Sequence, residues 1–188
     1  MVSLAELERA ASACVACPLA RSRTNVVFSA GNPNARLMFV GEGPGRDEDL
    51  AGEPFVGRSG QLLDRLIEEE IGLRREDCYI ANVVKCRPPN NRDPLPGEVA
   101  ACHHFLAGQI ENVAPSVIVT LGNFAARALL QTTEGITRLR GKSFAYGSSQ
   151  LVPTFHPAAA LRGGGVVLAQ MRADFVRAKR LLAEVDPR

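Results

Sequence analysis

The sequence predicts an α/β fold, a three-layer sandwich in which helices cover both faces of a central four-stranded, mostly parallel sheet. Four short apolar stretches are typical of buried strands, at residues 37–40, 79–84, 116–121 and 151–155. Helical patterns separate these stretches, as expected of parallel strands joined by crossover helices. A glycine-rich loop follows the first strand, and open α/β folds bind ligands at that edge of the sheet.

The composition indicates one ordinary globular domain over residues 1–188, because 46% of the 188 residues are hydrophobic. No apolar run is long enough to span a bilayer, so we expect no membrane partner. No positively charged segment precedes an apolar stretch at the start, so we expect a cytoplasmic protein rather than a secreted one. We also expect a monomer. The net charge of +2 is only weak support for a nucleic-acid partner.

The loop after the first strand is GEGPG, residues 41–45. Three glycines and a proline in five positions predict a tight turn that exposes backbone N–H groups and the carboxylate of Glu42. The pattern is neither a dinucleotide fingerprint nor a phosphate-binding loop. Taken alone, it is also compatible with a plain turn between a strand and a helix.

Helix signals flank these strands. Ser3 and Glu6 form a capping-box pattern that predicts a helix over residues 3–13. Further helices are predicted over 59–71, ended by Gly72, and over 97–113, 123–130 and 167–184, with a turn at 162–165. Residues 46–57 are predicted to be polar and irregular, with a solvated acidic run at 47–49.

Three side chains outside the loop are candidates for a binding site. Asn82 interrupts an apolar strand, and a buried amide must find partners or destabilise the fold. His156 follows the last predicted strand, and Phe55 stands alone among small residues. Ordinary alternatives are a loop-capping amide, a strand-end histidine and an aromatic folded onto the core. Topology favours bringing Glu42, Asn82 and His156 to one pocket.

Four of the five cysteines form a candidate metal site. Cys14 and Cys17 make a C-x-x-C pair, and Cys86 and Cys102 lie at the two ends of a proline-rich loop. Four thiolates can hold either zinc or an iron–sulfur cluster, and the spacing does not decide between them. Cys78 is predicted to be a small buried residue.

Taken together, these motifs resemble those of family 4 uracil-DNA glycosylases over nearly the whole chain. The ordered set is the C-x-x-C pair, GEGPG, EPFVGRSGQLLD (53–64), NVVKCRPPNNRDP (82–94), LGNFAARALL (121–130) and TFHPAAALR (154–162). No single motif is decisive, but the set in this order is highly specific. The resemblance implies the fold of that family and DNA containing uracil as the partner.

The resemblance also assigns residues. It places a 4Fe–4S cluster on Cys14, Cys17, Cys86 and Cys102. It places the uracil site on Gly41, Glu42, Gly43, Phe55, Asn82 and His156. It gives His156 the role of stabilising the uracil oxyanion, and Glu42 that of positioning water or stabilising the cationic sugar. Glu48 is a second candidate carboxylate.

The chain departs from the better-known family 1 enzymes at two positions of the loop. Those enzymes carry an aspartate where this chain has Gly43, and a tyrosine where it has Gly45. The usual water-activating aspartate and the usual barrier to thymine are therefore both absent. A DNA-binding protein of this fold without catalysis is one alternative, and an enzyme acting on free nucleotides is another.

Contacts to DNA are expected from loops at the edge of the pocket. The candidates for phosphate contacts are Arg87, Arg92, Arg138, Arg140, Lys142 and Arg162. Leu161 is a candidate for the apolar wedge that fills the place of a flipped base.

Overall fold

The computed structural model describes residues 2–185 of the chain. The two ends of the predicted domain, Met1 and residues 186–188, lie outside the described residues. The strands are β1 (Ala30–Gly31), β2 (Leu37–Gly41), β3 (Tyr79–Asn82), β4 (Val117–Leu121), β5 (Phe144–Tyr146) and β6 (Ser149–Thr154). The helices are α1 (Leu4–Ser12), α2 (Arg46–Ala51), α3 (Arg58–Leu66), α4 (Pro96–Val113), α5 (Asn123–Leu130), α6 (Ile136–Leu139) and α7 (Pro157–Val185).

The strands form one sheet in the order β1-β3-β2-β4-β6-β5. The four inner strands are parallel, and they are the four that the sequence predicts. The α/β class is therefore confirmed, but the count of four strands is wrong. The outer strands β1 and β5 pair antiparallel with their neighbours. They have two and three residues, too few to show an alternating pattern.

Apolar clusters on the two faces of the sheet create the layers. Alternate residues of β2 point to opposite faces, so Met38 and Val40 join one cluster and Leu37 and Phe39 join the other. Residues of α1, α4 and α5 pack on the first face, and residues of α3 and α7 pack on the second.

The first predicted helix is confirmed, with its capping box. Ser3 N donates to Glu6 Oε2 at 2.8 Å, and Glu6 N donates to Ser3 Oγ at 3.4 Å. The helix predicted over 59–71 is also present, although its last turn, Ile67–Ile71, is π-helical. Gly72 ends it with a φ of +81°, a left-handed conformation that glycine adopts readily.

The prediction that residues 46–57 are irregular is wrong at its start, where α2 forms. The acidic run is not uniformly solvated either. Asp49 is buried and its Oδ1 accepts from Thr24 N at 2.8 Å and from Asn25 N at 3.2 Å. These partners lie about 25 residues away in sequence, so no local pattern reveals them.

The last helix, α7, contains the predicted turn. Gly164 has a φ of +68° and breaks the helix between its two parts. Within residues 2–185, no helix has both the length and the apolar character needed to cross a membrane.

Candidate active site

The glycine-rich loop is held beside the end of β3. Gly41 lies opposite Asn82 in the parallel pairing of β2 and β3. Beyond the strands, Val83 N donates to Gly41 O at 2.9 Å and Val84 N donates to Glu42 O at 3.1 Å. The backbone of the loop therefore has a fixed position at the carboxyl edge of the sheet.

Gly41 has no room for a side chain. A Cβ at this position would lie 2.6 Å from Cζ of Phe55 and would also overlap Oδ1 of Asn82. Both neighbours are candidate binding residues. A glycine is needed here because the backbone approaches them so closely.

Phe55 is held in a strained conformation. Its φ of +54° lies in the left-handed region that non-glycine residues rarely adopt. Arg75 secures the segment, since its Nη1 donates to Phe55 O at 3.0 Å and it also binds the carbonyl of Pro54. The ring of Phe55 then stands 5.8 Å from that of His156, with 30° between their planes.

Asn82 ends β3 with an unsatisfied amide. The residue is 1% exposed, and its Oδ1 has no hydrogen-bond partner among residues 2–185. A buried acceptor without a donor costs about 1–3 kcal/mol. Because Asn82 also lines a large open groove, its amide is available to a ligand in that groove.

His156 presents its Nε2 as a donor. Ala158 N donates to Nδ1 at 3.1 Å, so Nδ1 is the acceptor of the neutral ring and the proton is on Nε2. Burial lowers the pKa of His156 to about 4, and the charge of Arg162 acts in the same direction. The imidazole is therefore neutral near pH 7 and can donate one hydrogen bond without carrying charge.

Glu42 and Glu48 play different parts. Burial raises the pKa of Glu42 to about 7, and the nearby Asp93 adds to the shift. The carboxylate of Glu48 is instead occupied by backbone groups. Its Oε1 accepts from the N–H groups of Val56 and Gly57, both at 3.0 Å, and its Oε2 accepts from that of Gly45 at 3.1 Å. Glu48 thus clamps the glycine-rich loop to the segment that carries Phe55.

The structure brings the sequence-predicted pocket residues together. The residues among them that line one groove are Glu42, Gly43, Phe55, Asn82 and His156. Gly41 lies directly behind Phe55 and Asn82. Glu42 and His156 are 114 positions apart in the chain, and the parallel topology brings both of them, with Asn82, to one edge of the sheet.

Two of the six predicted phosphate contacts, Arg92 and Arg162, line the groove, together with Arg46, Arg58 and Arg127. The other four, Arg87, Arg138, Arg140 and Lys142, are not among its lining residues. Arg92 also binds the buried carboxylate of Glu98 at 2.7 and 2.9 Å. Leu161, the predicted wedge, is 45% exposed next to Arg162.

Arg140 does not fit the prediction of a phosphate contact. Its guanidinium binds both carboxylate oxygens of Asp174, at 2.8 and 3.0 Å, and Asp174 is buried. The same carboxylate accepts from Thr154 Oγ1 at 2.8 Å, at the end of β6. Arg140 therefore joins the end of α6 to α7, through a partner 34 positions along the chain, and Asp174 joins α7 to β6.

Four cysteines surround a second cavity. Cys14, Cys17, Cys86 and Cys102 line it. Cys78 is not among the lining residues. It is fully buried, as predicted, and burial raises the pKa of its thiol to about 12.

Two cations face these thiols. Arg23 Nη1 donates to Cys86 Sγ at 3.3 Å and to Cys14 O at 2.7 Å. Lys85 also lines the cavity, and no carboxylate among residues 2–185 does so. Four thiols fit a thiolate-held metal centre, and the two cations can offset the net negative charge of such a centre.

Lys85 is the residue that the sequence did not indicate. It is 1% exposed, and its Nζ donates to Asn82 O at 2.7 Å and to Gln109 Oε1 at 2.5 Å. Burial lowers its pKa to about 7. A lysine in a loop rich in proline and asparagine is typically exposed, so only the fold reveals this position.

Comparisons with known proteins agree with the geometry. The family model described as "Uracil DNA glycosylase superfamily" matches residues 28–180. The chain is 55% identical to the type-4 uracil-DNA glycosylase of Thermotoga maritima, over 79% of this chain and 78% of that protein. It is 47% identical to the type-4 uracil-DNA glycosylase of Archaeoglobus fulgidus, over 86% of this chain and 84% of that protein. The chain therefore belongs to the uracil-DNA glycosylase superfamily and, within it, to the type-4 family.

Proposed function

We propose that this protein is a monofunctional uracil-DNA glycosylase, which flips uracil out of DNA and hydrolyses its N-glycosidic bond to leave an abasic site. The observation that carries the proposal is the buried, unpartnered Oδ1 of Asn82, at the wall of a groove that also holds Phe55 and His156. The similarity to type-4 uracil-DNA glycosylases supports the same activity.

Asn82 and Phe55 recognise the base. A uracil in the duplex is out of reach, so it must first leave the stack. The flipped ring packs on Phe55, which is the usual way that proteins hold an unstacked base. Its N3–H donates to Oδ1 of Asn82, and its O4 accepts from Nδ2. Cytosine presents the opposite pattern, so it leaves buried polar groups unpaired and is rejected.

His156 and Glu42 act on the glycosidic bond. As the bond between N1 and C1′ breaks, its electron pair moves onto the base, and negative charge develops at uracil O2. The Nε2–H of neutral His156 donates to that oxygen. The oxygen of a water molecule then bonds to C1′, and the carboxylate of Glu42 positions the water and accepts its proton.

We further propose that Cys14, Cys17, Cys86 and Cys102 hold a 4Fe–4S cluster. All four thiols line one cavity, together with Arg23 and Lys85. The similarity of the chain to type-4 uracil-DNA glycosylases supports the same assignment. When bound, the cluster supplies a covalent cross-link between the segment after α1, the loop after β3, and α4.

The cofactor proposal has a direct test. Protein isolated without oxygen should be brown, with broad visible absorption that reductant bleaches, and should contain iron and acid-labile sulfide. Colourless protein with one zinc per chain would assign the site to zinc.

We also propose the substrate and the setting of the protein. The substrate is DNA that contains uracil, and we expect Arg162, Arg46, Arg58 and Arg127, which line the groove, to contact its phosphates. The protein works as a monomeric single domain in the cytoplasm.

The activity is tested on an oligonucleotide with one uracil, followed by alkali, which cleaves the strand at an abasic site. Cleavage of the uracil strand and not of a matched cytosine strand is expected. Asn82→Ala should remove most excision while leaving affinity for the oligonucleotide nearly unchanged. Binding without release of base would instead support a DNA-binding protein that lacks catalysis.

A further inference from the structure

Lys85 connects the cysteine cavity to the groove, because it lines the first and is hydrogen-bonded to Asn82, which lines the second. It lines the cysteine cavity, it precedes Cys86 in the chain, and its ammonium donates to the carbonyl of Asn82 at 2.7 Å. Its other close partners are Gln109 Oε1, at 2.5 Å, and the face of the Phe28 ring, 5.8 Å from Nζ. None of these partners is an acid. Burying an ammonium among neutral groups is costly, so the position requires an explanation.

The carbonyl that Lys85 binds is the one that sheet pairing does not reach. The antiparallel pairing of β1 with β3 covers Tyr79 and Ile80 only. On the other side of β3, the donor Val83 N goes to Gly41 O. The ammonium of Lys85 therefore fixes the peptide plane of Asn82, which lies beyond the residues of β3 that pair with β1.

Gln109 holds the ammonium in place from the opposite side. Its Oε1 accepts from Lys85, and its Nε2 donates to Phe28 O at 3.0 Å and to the Tyr79 hydroxyl at 3.2 Å. Gln109 is fully buried on α4. The amide oxygen and the amide nitrogen of Gln109 thus both have hydrogen-bond partners. This fixes the position of the Lys85 ammonium.

We infer that Lys85 is a positioning residue for uracil, which fixes the peptide of Asn82 and so aims the Asn82 side chain into the groove. The inference rests on the proposed function and extends it. It also gives the cysteine cavity a part in substrate binding, because the loop anchored by Cys86 carries the lysine that orients the uracil-reading amide.

The test is a double-mutant cycle on affinity for free uracil, measured by titration of the iron-loaded protein. Lys85→Met removes the ammonium and keeps a chain of similar length. A misplacement of about 1 Å at such a site costs on the order of 100-fold. We therefore expect Lys85→Met to weaken uracil binding at least tenfold, and to have almost no further effect in an Asn82→Ala background.

A matched control separates positioning from general loss of stability. Phe175 is fully buried on the opposite face of the sheet, where it packs against Phe39. Phe175→Leu should lower the melting temperature and leave uracil affinity unchanged. If Lys85→Met does not accumulate as folded protein, Gln109→Leu, which removes the acceptor for the ammonium, is carried through the same cycle.

The outcomes separate the two claims. Wild-type protein that neither binds uracil nor excises it would overturn the proposed function. Wild-type protein that does both, with a Lys85→Met variant of equal uracil affinity, would overturn the role of Lys85 alone. So would an effect of Lys85→Met that persists in full when Asn82 is already alanine.

Discussion

The pH dependence of excision should follow the ionisation of Glu42. Burial and Asp93 raise the pKa of this carboxyl to about 7. Only about 9% of it is ionised at pH 6 and about 91% at pH 8, so the rate of base release should rise about tenfold between them if the carboxylate is the active form. His156 adds no inflection in this range, because its pKa is about 4 and the ring stays neutral.

Single-turnover excision from a uracil oligonucleotide, measured from pH 5.5 to pH 8.5, tests this expectation. Glu42→Gln should slow release by about 100-fold or more and remove the inflection. Asp93→Asn should move the inflection to lower pH, because it removes a negative charge that disfavours the carboxylate. A wild-type profile without an inflection, or one that Glu42→Gln retains, would refute the assignment of Glu42.

Three further predictions concern stability and packing. Gly41→Ala places a methyl group 2.6 Å from Phe55 Cζ, so it should cost about 1–3 kcal/mol in urea unfolding and abolish uracil binding; Gly97→Ala, with nothing within 4 Å, should cost nothing measurable. Glu42→Gln should stabilise the protein above pH 7. Because folding raises the pKa of Glu42 from 4.5 to about 7, the contribution of this group to stability is complete below pH 4.5 and is lost as the pH rises through about 7. Since the side chain is half-buried, we expect a gain of about 1 kcal/mol at pH 8, and equal stabilities there would contradict the raised pKa. Asp49→Ala should cost about 2–3 kcal/mol, because it leaves two backbone N–H groups without their acceptor; an unchanged unfolding midpoint would show that water replaces the carboxylate.

Local patterns were sufficient for most of the elements. The inner strands are continuous apolar runs because both of their faces are covered, and the capping box at Ser3 marks the first helix directly. The helix at 46–51 also has a local signal. Glu48 lies three residues after Gly45 and its carboxylate accepts from the Gly45 N–H, which is half of a capping box, and three acidic residues in the first turn suit the helix dipole.

The residues that the sequence did not explain are those with distant partners. Arg140 belongs to a basic cluster in the sequence, but its partner Asp174 lies in the last helix. Lys85 is a buried cation whose acceptors, Asn82 O and Gln109 Oε1, converge only in the fold. The convergence of Glu42, Asn82 and His156 was predictable, because each lies at the carboxyl end of a parallel strand and such strand ends share one edge. Phe55 lies between α2 and α3, so the strand pattern does not place it.

A crystal structure of the protein with uracil would show whether Asn82, Phe55 and His156 hold the base. We expect uracil packed on the ring of Phe55, with its N3 about 2.9 Å from Oδ1 of Asn82 and its O2 at a similar distance from Nε2 of His156. Uracil bound elsewhere in the groove, with Oδ1 of Asn82 still unpartnered, would contradict it.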